Sequence, residues 1–267
     1  MDTQKITIKS LAEMKAGGEK IAMLTCYDFL MASLLDQCGI DLMLVGDSVG
    51  NVLLGYDNTI PVTMEEMLHH CKAVTRAAKR ALVVGDMPFM SYQINKEEAL
   101  RNAGRFMKEA NAGAVKLEGG EEVLEIIQKI VTAGIPVMGH LGLTPQSVNV
   151  FGGYGLRGGS SEESDKILKD AKKIEEAGAF AVVLEKIPAA LAKKITLSLK
   201  IPTIGIGAGV DCDGQVLVTH DMLGLFEKFT PKFSKKYADM AKDMKSCFKN
   251  YVKEVKEKEF PGQEHSY

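Results

Sequence analysis

Leu42-Met43-Leu44-Val45-Gly46-Asp47-Ser48-Val49-Gly50 is an apolar run of strand length that stops abruptly at glycine, with an acid and a hydroxyl directly after it. Ala81-Leu82-Val83-Val84-Gly85-Asp86-Met87-Pro88 repeats the pattern and again ends in Gly-Asp. Strands buried on both faces of a parallel sheet are continuous apolar runs. Polar groups just past their carboxyl ends are the usual seat of chemistry in α/β proteins. Taken alone, each aspartate is better read as a turn former or a helix N-cap. The repetition, and the acids that follow downstream, favour two aspartates delivered to one hard cation.

The same alternation extends in both directions. Upstream, residues 7–15 carry Ile8, Leu11 and Met14 at helical spacing and stop at Gly17-Gly18. Strands are predicted at 21–28, 41–46, 81–85, 114–118, 136–140, 180–185, 202–206 and 215–218. Helices are predicted at 29–37, closed by Gly39, and at 63–80, opened by the capping box Thr63-Met64-Glu65-Glu66. Further helices follow at 95–110, 121–133, 161–177 and 189–199, with a Lys-rich helical tail from Phe233 to about Lys258. Strands alternating with helices at roughly 33 residues a unit predict a (β/α)8 TIM barrel. Residues 1–267 then form a single domain with an N-terminal helix and a C-terminal helical tail. A doubly wound open sheet is the alternative, and periodicity alone does not separate the two. No GxGxxG follows the first strand, which weakens a dinucleotide-binding version. About a dozen residues separate Gly207 from His220, too few for a crossover helix before the last strand. The segments 49–61 and 143–160 are long for loops; the first is read as functional or interfacial, and both are candidate lids.

The chain of 267 residues is 46% hydrophobic and 25% charged, the balance of a globular protein with room for a large core. A net charge of -2 leaves no basic field for nucleic acid. The five cysteines are odd in number and lack CxxC spacing, so reduced thiols and a cytoplasmic setting are expected. The start, Met1-Asp2-Thr3-Gln4-Lys5, leads into an amphipathic segment and not an apolar signal core. No apolar run reaches the roughly 18 residues of a membrane span.

In a barrel, the carboxyl-end rim would carry Asp28, Asp47-Ser48, Asp86, Lys116 with Glu118, His140, Glu185, Gly207 and His220. Asp47, Asp86 and Glu118 supply oxygen ligands suited to Mg²⁺, which takes a few carboxylates, several waters and substrate oxygens. Calcium would want more ligands, and zinc would want His or Cys where only His140 and His220 are near. Lys116 and Glu118 are two apart on one strand and share a face. They fit either a substrate anion site or a space-filling ion pair. His140 belongs to the site, although a hydrogen-bonded core histidine fits it as well. Glu185 ends a run so apolar that desolvation would raise its pKa toward that of a general base; a structural pairing is the alternative. Gly205-Ile206-Gly207-Ala208-Gly209 lies where barrels often hold phosphate, a weak signal in a bare glycine loop.

Val45-Gly46-Asp47-Ser48, Asp86-Met87-Pro88-Phe89-Met90, Val115-Lys116-Leu117-Glu118-Gly119-Gly120, Gly139-His140-Leu141-Gly142-Leu143-Thr144-Pro145-Gln146-Ser147, Phe151-Gly152-Gly153-Tyr154 and the glycine loop together resemble the ketopantoate hydroxymethyltransferase family. The resemblance runs from about Ile6 to Lys232, and Gly139 to Ser147 is its most specific piece. It implies a (β/α)8 barrel binding Mg²⁺, 5,10-methylenetetrahydrofolate as co-substrate, and a homodecamer of two stacked pentameric rings. It also implies one-carbon transfer to 3-methyl-2-oxobutanoate through an enolate. By motif, Asp47, Asp86 and Glu118 match the metal-site acids. Asp47, Ser48, Asp86 and Lys116 match substrate contacts, and Glu185 matches the proton acceptor. The tail past about Lys235 and Val210-Asp211-Cys212 match no motif. A Mg²⁺-dependent carbon–carbon lyase of the isocitrate lyase kind is the rival, and would need a reactive cysteine in a barrel-top loop. A non-catalytic barrel holding a phosphorylated ligand at Gly205–Gly209 is a third reading.

Overall fold

The computed structural model describes residues 4–229 and 231–267, so Met1–Thr3 of the expected N-terminal stretch lie outside the described residues. Two compact units are present, the chain up to Leu217 and Val218–Tyr267. The first is a closed barrel of eight parallel strands in sequence order. The strands are β1 (Ile21–Thr25), β2 (Leu42–Val45), β3 (Leu82–Asp86), β4 (Ala114–Glu118), β5 (Val137–Gly142), β6 (Ala181–Glu185), β7 (Thr203–Ile206) and β8 (Gly214–Leu217). β8 pairs with β1 and closes the ring. The open-sheet alternative is thereby excluded.

Period-two alternation explains how apolar strands deliver polar groups to one place. Val83, Val115, Leu117, Val137, Val182 and Leu184 join the apolar layer beneath the helices. Their neighbours Asp86, Lys116, Glu118, His140 and Glu185 therefore take the opposite, inward phase. Register then sets their heights: Asp86 lies beside Lys116, Glu118 beside His140, and Gly142 beside Glu185. Gly85 lies on the outward phase, where an added Cβ would stand 2.4 Å from the Phe106 ring. The glycine of this Gly-Asp pair lets the helix Lys96–Ala110 press onto β3.

Helix starts follow local capping chemistry. Thr63 and Glu66 form the expected capping box of Met64–Ala77. Asp28 does not reach the rim. Its carboxylate accepts from Met31 N at 2.8 Å as the N-cap of Phe29–Gln37, and β1 ends three residues earlier. The expected long loops hold short helical turns, Val49–Val52 in one and Val148–Phe151 in the other. Between β7 and β8 no helix intervenes, as the short spacing requires.

The second unit begins with the turn Thr219–Met222, which includes His220, and carries the helix Met240–Glu257. The helix starts later than the expected Phe233. Tyr237 N donates to Met222 O and Met240 N to Leu223 O, so these amides bond to the preceding turn and not to a helix of their own. Tyr251 and Phe260 meet edge-on at 5.7 Å beyond the helix.

Candidate active site

The inward residues of β3 to β6 form one connected polar cluster with the residues that follow β2. Asp47 N donates to Asp86 Oδ2 at 3.1 Å, joining the acids of the two Gly-Asp motifs. Lys116 Nζ stands 2.7 Å from Asp86 Oδ1 and 3.3 Å from His140 Nδ1. His140 Nδ1 is also 3.3 Å from Glu118 Oε1, and its Nε2 is 3.1 Å from Glu185 Oε2. The histidine thus links the acid ending β6 to those of β3 and β4. Ser48 Oγ pairs with Tyr27 OH at 2.8 Å. The structure brings together all seven expected site residues, of which Asp47, Asp86, Lys116, Glu118 and His140 are buried and Ser48 and Glu185 partly so.

Charge in this cluster is unbalanced. Asp47, Asp86, Glu118 and Lys116 are buried, and Glu185 is 15% exposed at its side chain, more open than the apolar run of β6 suggests. Burial, reinforced by Asp86 and Glu118, holds the Asp47 carboxyl well above its ordinary range. Burial likewise raises Asp86, against the opposing pull of Lys116. For Lys116 burial alone would lower the pKa, yet Asp86, Glu118 and Asp47 together raise it. His140 is raised to about 9: burial and Lys116 oppose the charged form, while Glu118 and Glu185 stabilise it by hydrogen bonding. Counted as fully ionised, the four acids exceed Lys116 and protonated His140 by two charges; the upward shifts of Asp47 and Asp86 oppose that ionisation, and a divalent ion would favour it.

The donor set fits a hard cation. Buried Asp86 Oδ1 and Glu118 Oε1 accept no hydrogen bond of good geometry; their counter-charges are Lys116 Nζ at 2.7 Å and the His140 ring at 3.3 Å. Among the described residues no group of three or more His, Cys, Asp or Glu side chains is preassembled as a cage.

Two contributors escaped the sequence reading. Gln146 Nε2 donates to Asp47 Oδ2 at 2.9 Å, and its backbone N donates to Glu118 Oε2 at 3.0 Å. Tyr92 OH donates to Gln146 Oε1 at 2.8 Å. Gln146 sits inside the Gly139–Ser147 motif, so the signal was present without a role attached; Tyr92 comes from a loop with no motif of its own. Of the cysteines the rival lyase reading could use, buried Cys26 directly follows β1, and burial raises its thiol pKa to about 12. Cys212 is buried beside Thr203, the first residue of β7, and burial raises its thiol pKa. In the glycine loop, Gly209 O accepts from Gln215 Nε2 at 2.9 Å.

No helix among the described residues is long and apolar enough to cross a membrane. The 3-methyl-2-oxobutanoate hydroxymethyltransferase of Carboxydothermus hydrogenoformans is 59% identical over 263 residues, covering 98% of this chain and 95% of that protein. The enzyme of the same name from Clostridium novyi is 57% identical over 263 residues, 98% and 96% of the two chains. Among solved structures, a phosphonopyruvate hydrolase superposes with a TM-score of 0.66 at 12% identity, covering 98% of this chain and 91% of that one. A 2,3-dimethylmalate lyase of the PEP mutase/isocitrate lyase superfamily gives 0.61 at 14%, covering 96% and 89%; both likenesses show the barrel fold alone. The ketopantoate hydroxymethyltransferase family model matches residues 5–263, and with relatives this similar over nearly its whole length the chain belongs to the ketopantoate hydroxymethyltransferase family.

Proposed function

We propose that the chain transfers a hydroxymethyl group from 5,10-methylenetetrahydrofolate to 3-methyl-2-oxobutanoate, giving 2-dehydropantoate for pantothenate biosynthesis, with Mg²⁺ as its metal. Family membership supports the reaction. The observation that carries the residue roles is the contact chain Asp86–Lys116–His140–Glu185, which sets a candidate base beside buried acids.

Asp47 and Asp86, with Glu118 nearby, would hold a divalent cation, which when bound would supply Lewis-acid polarisation of a 2-oxo acid's keto carbonyl and so a more acidic C3 proton. Glu185 Oε2 accepts that proton, and His140 Nε2 at 3.1 Å holds the carboxylate in place. The Lys116 ammonium, fixed by Asp86, stabilises negative charge developing on the substrate oxygen. Ser48, Asp86 and His140 complete the substrate contacts. C3 then bonds to the folate-borne methylene carbon, both carbon–nitrogen bonds joining that carbon to folate break, one water supplies the hydroxyl oxygen, and the two folate nitrogens take up the C3 proton and one proton of the water. The segments 49–61 and 143–160 exclude solvent while C3 is reactive.

Deuterium exchange at C3 of 3-methyl-2-oxobutanoate, with Mg²⁺ and without folate, isolates the proton step. Exchange is expected in the wild type and lost in Glu185→Ala or with chelator. Persistence in the variant removes Glu185 from its role. A cytoplasmic homodecamer belongs to the same reading, and exposed Phe29, Leu30 and Leu34 on one helix offer an apolar face for assembly. Ten chains of 29.0 kDa predict about 290 kDa by sedimentation; a monomer's mass would refute it.

A further inference from the structure

The side-chain amide of Gln146 uses its full hydrogen-bonding capacity. Nε2 donates to Asp47 Oδ2 at 2.9 Å and to Met87 O at 3.0 Å. Oε1 accepts from Tyr92 OH at 2.8 Å and Gln93 Nε2 at 3.2 Å. Turning the amide over would set its oxygen against a carboxylate and a carbonyl, both acceptors. Tyr92 is itself fixed: its hydroxyl accepts from Glu118 N at 3.1 Å, and the residue is buried. Gln146 N meanwhile donates to Glu118 Oε2. One residue therefore touches two of the three acids from strand ends that are not adjacent in the barrel.

We propose that Gln146 is a positioning residue that holds Asp47 and Glu118 at the spacing a shared divalent cation needs, and that Tyr92 locks its amide in the orientation that does so. The inference rests on the metal-binding reading above. Groups that orient ligands from behind are worth about 10–100-fold in metal affinity, whereas a residue that only fills space changes stability and leaves affinity alone.

Mn²⁺ and Mg²⁺ titrations by calorimetry, with the Mn²⁺ electron paramagnetic resonance spectrum, test this on the intact chain. Gln146→Leu is expected to weaken Mn²⁺ binding about 10–100-fold and to alter the spectrum. Tyr92→Phe, which removes one hydroxyl, is expected to weaken it more than twofold in the same direction. Should Gln146→Leu fail to fold, Tyr92→Phe decides alone. Affinity within twofold of wild type in the folded variants, with only a lowered melting temperature, overturns the inference and leaves the metal reading standing. A wild-type chain that binds neither ion removes both.

Discussion

Asp221 shows how far burial acts on one carboxyl outside the candidate site. Burial raises its pKa from 3.8 to about 6, partly countered by Lys236. A raised acid binds its proton more tightly folded than unfolded, so ionisation costs stability as pH climbs from about 4 through 6. Asp221→Asn is therefore expected to be more stable than wild type at pH 8, on the order of 1–3 kcal/mol, and near-equal to it at pH 4. Thermal melts at the two values check this; a variant less stable at pH 8 would contradict it. At the same scale, Asp47 and Asp86 stood out because the Gly-Asp ending repeats after two apolar strands, although either carboxylate alone has ready structural uses. Asp28 follows a strand too, yet it caps a helix. What separated them was the residue after each: Phe29 opens a helix, whereas Ser48 and Met87 do not. Gln146 and Tyr92 carried no such mark, since each acts through partners far away in the chain.

Elements place the site through register, and glycines mark where backbones crowd. Gly142 ends β5 at φ +92, where an added Cβ would stand 2.2 Å from Glu185 O. Gly142→Ala is expected to cost more than about 2 kcal/mol and to displace the backbone that carries Glu185. Gly104, inside Lys96–Ala110, has nothing within 4 Å of an added Cβ. Gly104→Ala is expected to stabilise by about 0.5–1 kcal/mol. Urea midpoints read both signs, and a neutral Gly142→Ala would deny the crowding. Strand positions and capping boxes were readable because period-two burial and helix caps are local. The late start of Met240–Glu257 was not, because the Tyr237 and Met240 amides bond to Met222 and Leu223.

At the scale of the whole molecule, the ring closes in sequence order, and closure turns residues of four consecutive strands into one inward cluster. Eight apolar runs at a regular repeat pointed to a barrel without separating it from an open sheet, and the separate compactness of Val218–Tyr267 had no composition break to announce it. The functional reading depends on two aspartates, 39 residues apart in the chain, sharing one ion. Mg²⁺ titration calorimetry on wild type, Asp47→Ala and Asp86→Ala measures this directly. One site per chain in the wild type, lost or strongly weakened in each variant, is the expected result; wild-type affinity retained in either variant would contradict a shared ion.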